Sequence, residues 1–138
     1  MMPPRTAALL LLVLGCSSPR PEVASLVTGV DRFHRASNDE RPARADALAR
    51  VACQDREVCA AKALCVEATT ATGAALRLKR EAEAMLAEVE LGTKDAQDPA
   101  VAALPAKLDQ ASKLLKKGHD AMPACDHEIL VLRERYGL

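Results

Sequence analysis

Cysteine is the residue type in this chain best suited to chemistry, and five cysteines occur, at positions 16, 53, 59, 65 and 125. Thiols form disulfides, bind zinc or act as redox groups. The Cys-x-x-Cys spacing typical of thiol oxidoreductases does not occur. The sulfurs are therefore candidates for covalent modification, for disulfides or for a metal site.

A zinc site is the alternative to disulfides. His119, Cys125 and His127 have a loosely metal-like spacing. The three cysteines between residues 53 and 65 are six residues apart, and six helical residues rotate by about 240°. On one helix these thiols would point in three directions and could not bind a single ion together. We therefore expect no metal, and no motif points to another cofactor.

Cys16 differs from the other cysteines because it ends an apolar run, residues 7–14, that follows Arg5. A positive charge, a short apolar stretch and a small residue before the cleavage site are the parts of a secretory signal. The stretch Val13-Leu14-Gly15-Cys16 resembles the lipobox of bacterial lipoproteins. The resemblance implies a signal peptide over residues 1–15 and a lipidated Cys16. An ordinary signal peptide with a nearby cysteine is the alternative.

This resemblance also predicts a location. The apolar run is far shorter than the roughly 20 residues of a membrane-spanning helix, whereas two or more acyl chains anchor a protein stably. Ser17, in place of an aspartate, resembles an outer-membrane address. We expect residues 16–21 to form a lipidated, proline-containing tether on the periplasmic face of the outer membrane of a Gram-negative bacterium.

Composition narrows the class of the remaining chain. The 138 residues contain 19 Lys and Arg against 19 Asp and Glu, so no basic field supports a nucleic-acid partner. One Phe, one Tyr and no Trp leave no stacking platform for bases or sugars. Strong helix formers such as Ala, Leu, Glu, Lys and Arg dominate. We predict an all-α fold and one domain over residues 22–138.

Helical periodicity divides this domain into four helices. The first, residues 22–37, carries Phe33 on its apolar side, with His34 beside it as a structural or surface residue. The second covers residues 43–53. The two long helices, 56–91 and 100–136, are joined by a loop around residues 92–99, and a break or kink is expected near residues 118–123.

The two long helices each carry a seam of apolar or small residues that alternates steps of three and four, which is typical of coiled-coil packing. The first seam comprises Ala61, Leu64, Ala68, Ala71, Ala75, Leu78, Ala82, Met85 and Val89. The second comprises Val101, Leu104, Leu108, Ala111, Leu115, Gly118, Met122, Cys125, Ile129, Leu132 and Tyr136. We predict a long antiparallel helical hairpin inside a three- or four-helix bundle.

The hairpin predicts the disulfide pairs. With the loop centred near residues 95 and 96, Cys125 faces a position within one residue of Cys65, whereas Cys59 and Cys53 are displaced by one to two helical turns or more. Cys59 and Cys65 are about 9 Å apart along one helix, which is too far for a bridge. We predict Cys65–Cys125 across the hairpin and Cys53–Cys59 at the corner near Gln54 and Asp55.

No catalytic constellation accompanies these features. The sequence contains no nucleophile elbow, phosphate-binding Gly-rich loop or HExxH motif. Neighbouring carboxylates such as Glu81 and Glu83 resemble a solvated helix face. Asp126, His127 and Glu128 are expected at the start of a helical segment, where acidic residues complement the dipole. We expect a non-catalytic structural or protein-interaction module of the envelope with an unidentified protein partner; the alternative is a helical lipoprotein that binds a small ligand or metal.

Overall fold

The fold is all-α, as the composition predicts. The structure, a computed structural model, describes residues 17–138. The signal peptide and Cys16 lie outside the described residues. Five helices follow in order: α1, Arg20–Arg35; α2, Arg41–Ala49; α3, Arg56–Glu90; α4, Pro99–Ala102; and α5, Leu104–Tyr136. Because α4 is a single turn, the body of the protein is a four-helix arrangement.

The antiparallel hairpin of α3 and α5 is the frame of the molecule. Asp55 begins α3 by accepting hydrogen bonds from the amides of Glu57 and Val58, at 2.9 and 3.1 Å. At 35 residues, α3 is about 52 Å long. The helices α1 and α2 pack side by side against one end of this hairpin.

We call residues 56–73 and 118–136 the covered half of the hairpin and residues 74–117 the uncovered half. The main core lies where α1 and α2 meet the covered half, and its largest fully buried side chains include Leu26, Leu48 and Leu132. Phe33 is also buried, as predicted. The buried side chains of the uncovered half are three alanines and one leucine, namely Ala75, Ala82, Ala111 and Leu104.

Two glycines allow helices to approach closely. A Cβ atom on Gly118 of α5 would lie 2.8 Å from the carbonyl oxygen of Ala68 and 3.0 Å from the amide nitrogen of Thr72, both on α3. A Cβ on Gly73 would lie 3.2 Å from the Cβ of Ala45 on α2. These contacts leave no room for larger side chains, so the sequence uses glycine where helices touch through their backbones.

The predicted helix bounds need correction at several places. Helix α1 begins at Arg20, inside the predicted tether, because a proline is tolerated in the first helical turn. Helix α2 ends at Ala49, before the predicted residue 53. Helix α5 continues through residues 118–123, and the interruption lies instead at Ala103. Because Pro123 has no N–H group, the carbonyl of His119 lacks its usual helical hydrogen bond. Both residues are exposed, so solvent can bind that carbonyl.

Three leucines of the predicted seams are less buried than core positions should be. Leu64, Leu108 and Leu115 are 38%, 40% and 48% exposed, respectively. Cys65 takes the buried position beside Leu64, since the face of α3 is set by contact with two neighbours and not by α5 alone. Leu108 and Leu115 lie on the predicted stripe of the hairpin, but α1 and α2 leave them partly exposed.

Candidate functional site

The four described cysteines form two disulfides, in the pairs that the hairpin geometry predicts. Cys65 and Cys125 join α3 to α5 with their Cα atoms 4.6 Å apart, and both side chains are fully buried. Cys53 and Cys59 join the segment after α2 to the first turns of α3, with Cα atoms 5.4 Å apart. All four sulfurs are therefore engaged in covalent bonds.

The candidate zinc residues do not come together. Cys125 is committed to its disulfide, while His119 and His127 are exposed on α5. Over residues 17–138, no group of three or more His, Cys, Asp or Glu side chains is placed to hold a metal ion. The described chain thus offers no clustered ligand set for a zinc ion.

The candidate carboxylates lie on exposed helix surface. Glu81 accepts a hydrogen bond from Lys107 at 3.0 Å, and Glu83 pairs with Lys79 at 3.5 Å. Glu88 pairs with Lys94 at 3.3 Å, and Glu90 is exposed. These contacts link the two helices of the uncovered half or connect neighbouring turns, as expected of solvated ion pairs.

The acidic cluster at residues 126–128 differs from its prediction. It lies in the middle of α5, because that helix is not interrupted at Pro123. Asp126 accepts a hydrogen bond from the ring of His34 on α1 at 2.9 Å. The cluster therefore helps to hold α1 on the covered half and does not cap a helix. His34 is the exposed structural residue that the sequence predicts.

Further ion pairs fix α1 and α2 to the hairpin. Arg133 of α5 donates to Asp31 of α1 at 2.5 Å. On the other side, Arg77 of α3 donates to Asp46 at 2.6 Å and to the carbonyl of Pro42 at 3.2 Å. The α2 contacts reach Arg77, at the start of the uncovered half, and the turn between α1 and α2 reaches Arg80 through the carbonyl of Asp39 at 2.7 Å.

Glu40 stabilises the turn between α1 and α2. Its carboxylate accepts hydrogen bonds from the amide of Ser37 at 3.2 Å and from the Ser37 hydroxyl at 3.0 Å. The hydrogen bond from the Ser37 amide, followed by that from the Ser37 hydroxyl, lowers the pKa of Glu40 below its ordinary value of 4.5.

On the uncovered half, the hydrogen bond from Lys113 to Asp109 raises the pKa of that lysine.

The strongest candidate binding feature is a groove between α3 and α5 in the uncovered half. Its volume is about 240 Å³. Leu76 and Ala75 line it from α3, and Leu108, Ala111 and Leu115 line it from α5. The leucines are the ones that α1 and α2 leave partly exposed. The side chains of Lys79 and Ser112 form its polar edge. We call this the hairpin groove.

The sequence periodicity predicts several residues of the hairpin groove as core residues. The signal that could have found it is the mismatch of lengths: α1 has 16 residues and α2 has 9, against 35 and 33 in α3 and α5. Two short helices cannot cover both long ones from end to end, so part of the seam must face solvent.

The hairpin places the groove and the N-terminal segment towards different ends. Arg20 donates from Nε to the carbonyl of Tyr136 at 3.0 Å and from a terminal nitrogen to that of Gly137 at 3.3 Å. Glu57, at the start of α3, pairs with Arg135. The beginning of α1, the beginning of α3 and the end of α5 therefore meet at one end, and the loop between α3 and α4 lies at the other.

Comparison with protein-family models, with curated proteins and with solved structures found no match to this chain. A search of the helices over residues 17–138 found none that is both long and apolar enough to cross a membrane.

Proposed function

We propose that this protein is a non-catalytic helical module of the bacterial envelope, anchored by acylated Cys16, that binds a protein partner through the hairpin groove. Its location would be the periplasmic face of the outer membrane of a Gram-negative bacterium. The observation that carries the proposal is the hairpin groove, an apolar surface between α3 and α5 that includes the partly exposed Leu108 and Leu115. The lipobox resemblance and the short tether supply the anchor.

The geometry suits presentation of the groove away from a membrane. Chain residues 17–19 precede α1, which begins beside the end of α5. An anchor at Cys16 would hold that end near the lipid. The uncovered half would then project outwards, because α3 extends for about 52 Å from the same end. A partner could reach the groove without approaching the lipid surface.

An amphipathic helix is the occupant that fits the groove best. The leucines and alanines lie between the antiparallel helices α3 and α5, and an apolar helix face packs into a groove of this kind. Leu108 and Leu115 are seven residues apart, so they repeat at the spacing of a coiled-coil seam. A partner helix would complete locally the bundle that α1 and α2 complete on the covered half.

The anchor is tested by the mass of the full chain isolated from membranes of a Gram-negative host, with and without reduction. We expect a chain that starts at Cys16 and carries two or three acyl groups. A Cys16→Ala variant should lose the acyl mass and leave the membrane fraction. An unacylated wild-type chain would contradict this part of the proposal.

The partner is tested by placing a photo-crosslinking residue at position 112, on the edge of the groove, in cells that express the full chain. A crosslinker at position 130 is the control, because Leu130 is 55% exposed on the covered half of α5. We expect one protein to crosslink from position 112 and not from 130. The purified partner protein should bind the wild-type chain at least tenfold more tightly than the Leu108→Ser/Leu115→Ser variant. The variant lacks the apolar contacts of two leucine side chains.

The matched variant Leu130→Ser should retain wild-type affinity for that protein. A groove crosslink to a second copy of this chain would replace the partner by a homodimer. The non-catalytic part fails if the purified protein turns over a substrate and one substitution abolishes that turnover.

A further inference from the structure

A second groove, independent of the hairpin groove, lies between α1 and α2. Its volume is about 450 Å³, within the range of small-molecule sites. Leu48 packs directly on Gly29 of α1, because a Cβ atom there would lie 2.7 Å from a terminal methyl of Leu48 and 3.8 Å from Val51. Leu48 and Val51 form the apolar floor of the space between the two helices. We call this the α1–α2 groove.

The groove has a cationic end and an uncharged end. Gly29 contacts Leu48, and the chain reverses between α1 and α2, so residues after 29 lie beside residues before 48. Arg32 and Arg44, which both line the groove, therefore belong to the same end of it. At the other end the lining comprises Ala24, Ser25 and Val51, and the Ser25 hydroxyl donates to the carbonyl of Pro21 at 3.0 Å.

The two arginines keep their charge available. Among the described residues, neither forms an ion pair or a side-chain hydrogen bond, and both are exposed. The nearby acids are used elsewhere: Asp31 is bound by Arg133, and Asp46 is bound by Arg77. The other acids of this region are also engaged, namely Glu22 by the amides of Gln54 and Asp55, Asp39 by Arg80 and Glu40 by Ser37.

Among these acids, Glu40 interacts with a groove arginine, because Arg44 helps to lower its pKa, as the last cause after the Ser37 hydrogen bonds and desolvation. That attraction offsets part of the charge of Arg44, whereas no described acid forms an ion pair with Arg32. A pair of guanidinium groups with so little acidic compensation is suited to a carboxylate or phosphate, whose oxygens match the two-pronged geometry of arginine.

We propose that the α1–α2 groove binds an anionic amphiphile, a molecule with one carboxylate or phosphate head and an alkyl chain. Arg32 and Arg44 bind the head, with the Ser25 and Thr28 hydroxyls along the wall. The chain lies over Leu48 and Val51 towards Ala24. This site does not depend on the proposed partner or on acylation of Cys16. The same chemistry occurs in a free fatty acid and in an anionic phospholipid.

The proposal is tested by titrating octanoate into the purified full chain and measuring affinity by calorimetry. Acetate carries the head without the chain, and 1-octanol carries the chain without the charge. We expect octanoate to bind in the millimolar range or better, and each partial ligand to bind at least about tenfold more weakly. Equal binding of acetate or of octanol, or no binding of octanoate, would overturn the proposal.

Two double variants locate the site. Arg32→Gln/Arg44→Gln should weaken octanoate binding by about tenfold for each arginine removed. Arg35→Gln/Arg50→Gln is the matched control, because these exposed arginines lie on or beside the same helices but do not line the groove. It removes the same total charge and should retain wild-type affinity. An equal loss of octanoate affinity in both double variants would mean that only the total charge of the protein matters, and it would overturn the proposed site.

The Arg32→Gln/Arg44→Gln variant should remain folded, because both arginines are exposed and take part in no described ion pair. Their variant should melt within a few degrees of wild type. Ala47→Leu, which fills the groove from an exposed wall, should also abolish binding without removing charge. Competition by phosphatidylglycerol vesicles, but not by phosphatidylcholine vesicles, would identify a membrane lipid as the source; no competition by either would identify a free amphiphile.

Discussion

The covered and uncovered halves of the hairpin share one helical register but differ in what they bury. In the covered half, Val58, Ile129 and Leu132 pack against α1 and α2, and Cys65–Cys125 joins the helices covalently. In the uncovered half, the buried side chains are three alanines and Leu104. An apolar repeat therefore specifies which faces meet, while the neighbouring helices determine how much stability that meeting provides.

Small residues have different consequences in the two halves. Gly118, about two helical turns from Cys125, lets the backbones of α3 and α5 touch, so the covered half is closely packed. In the uncovered half, the alanines leave room between the helices that the partly exposed leucines do not fill. The result is the hairpin groove. Close packing and an open groove thus arise from the same small-residue seam.

The largest expected effect comes from removing the covalent link of the covered half. Cys65→Ala/Cys125→Ala opens a connection with a sequence separation of 60 residues. The chain-entropy model assigns such a bridge about 4 kcal/mol of unfolding free energy, against about 2 kcal/mol for a short loop such as that of Cys53–Cys59. Urea denaturation of both double variants measures the difference. Equal losses would show that native packing, not loop length, determines the contribution.

The next effect contrasts leucines of the two halves on α5. Leu132 is fully buried, whereas Leu115 is 48% exposed. We expect Leu132→Ala to lower the free energy of unfolding by about 3 kcal/mol through lost burial and a new cavity. Leu115→Ala should cost less than about 1 kcal/mol, because much of its side chain is already hydrated. If both variants lost a similar amount of unfolding free energy in the same denaturation experiment, the two halves would not differ in how much their leucines stabilise the fold.

A smaller loss is expected at the close contact of α3 and α5. Gly118→Ala adds a methyl group that would meet the backbone of Ala68 and Thr72, so the helices must separate. Overpacking of this kind costs about 2 kcal/mol, and helix propensity returns up to about 1 kcal/mol. The variant should therefore melt below wild type. A rise in melting temperature would mean that propensity dominates and that the helices are less closely packed than described.

The smallest effect concerns pH and the turn that leads into α2. Since Ser37 lowers the pKa of Glu40 in the folded protein, the ionised carboxylate stabilises the fold above its unfolded pKa. That contribution is lost as the pH falls below about 4.5 and through the lowered folded value. The stability difference between wild type and Glu40→Gln should be largest at neutral pH and shrink on acidification. A difference that grows on acidification would reverse the assigned sign.

The sequence predicted the fold class, the hairpin and both disulfide pairs because each depends on helical phase, which a residue's number determines directly. The position of Cys125 opposite Cys65 is an example. Phase does not determine where a neighbouring helix ends. The periodicity therefore predicts Leu108 and Leu115 as core residues, although both are partly exposed. For the same reason the hairpin groove could not be located.

Pro123 shows a second limit of sequence reasoning, because it lies inside α5 and does not end it. Pro123 was expected to interrupt α5, but solvent on its exposed side accommodates the missing hydrogen bond. The α1–α2 groove was beyond prediction for another reason. Arg32 and Arg44 are brought to one end by the geometry of a five-residue turn, 36–40, and a balanced overall charge conceals that local concentration.

The disulfide connectivity has a consequence for biosynthesis. Along residues 17–138, each cysteine is bonded to its neighbour in sequence order: Cys53 to Cys59, then Cys65 to Cys125. A chain that enters an oxidising compartment N-terminus first would expose one native pair before the first cysteine of the next. Oxidation in order of emergence then yields the native bonds directly. Such a protein would mature with a simple thiol oxidant and without an isomerase to exchange its bonds.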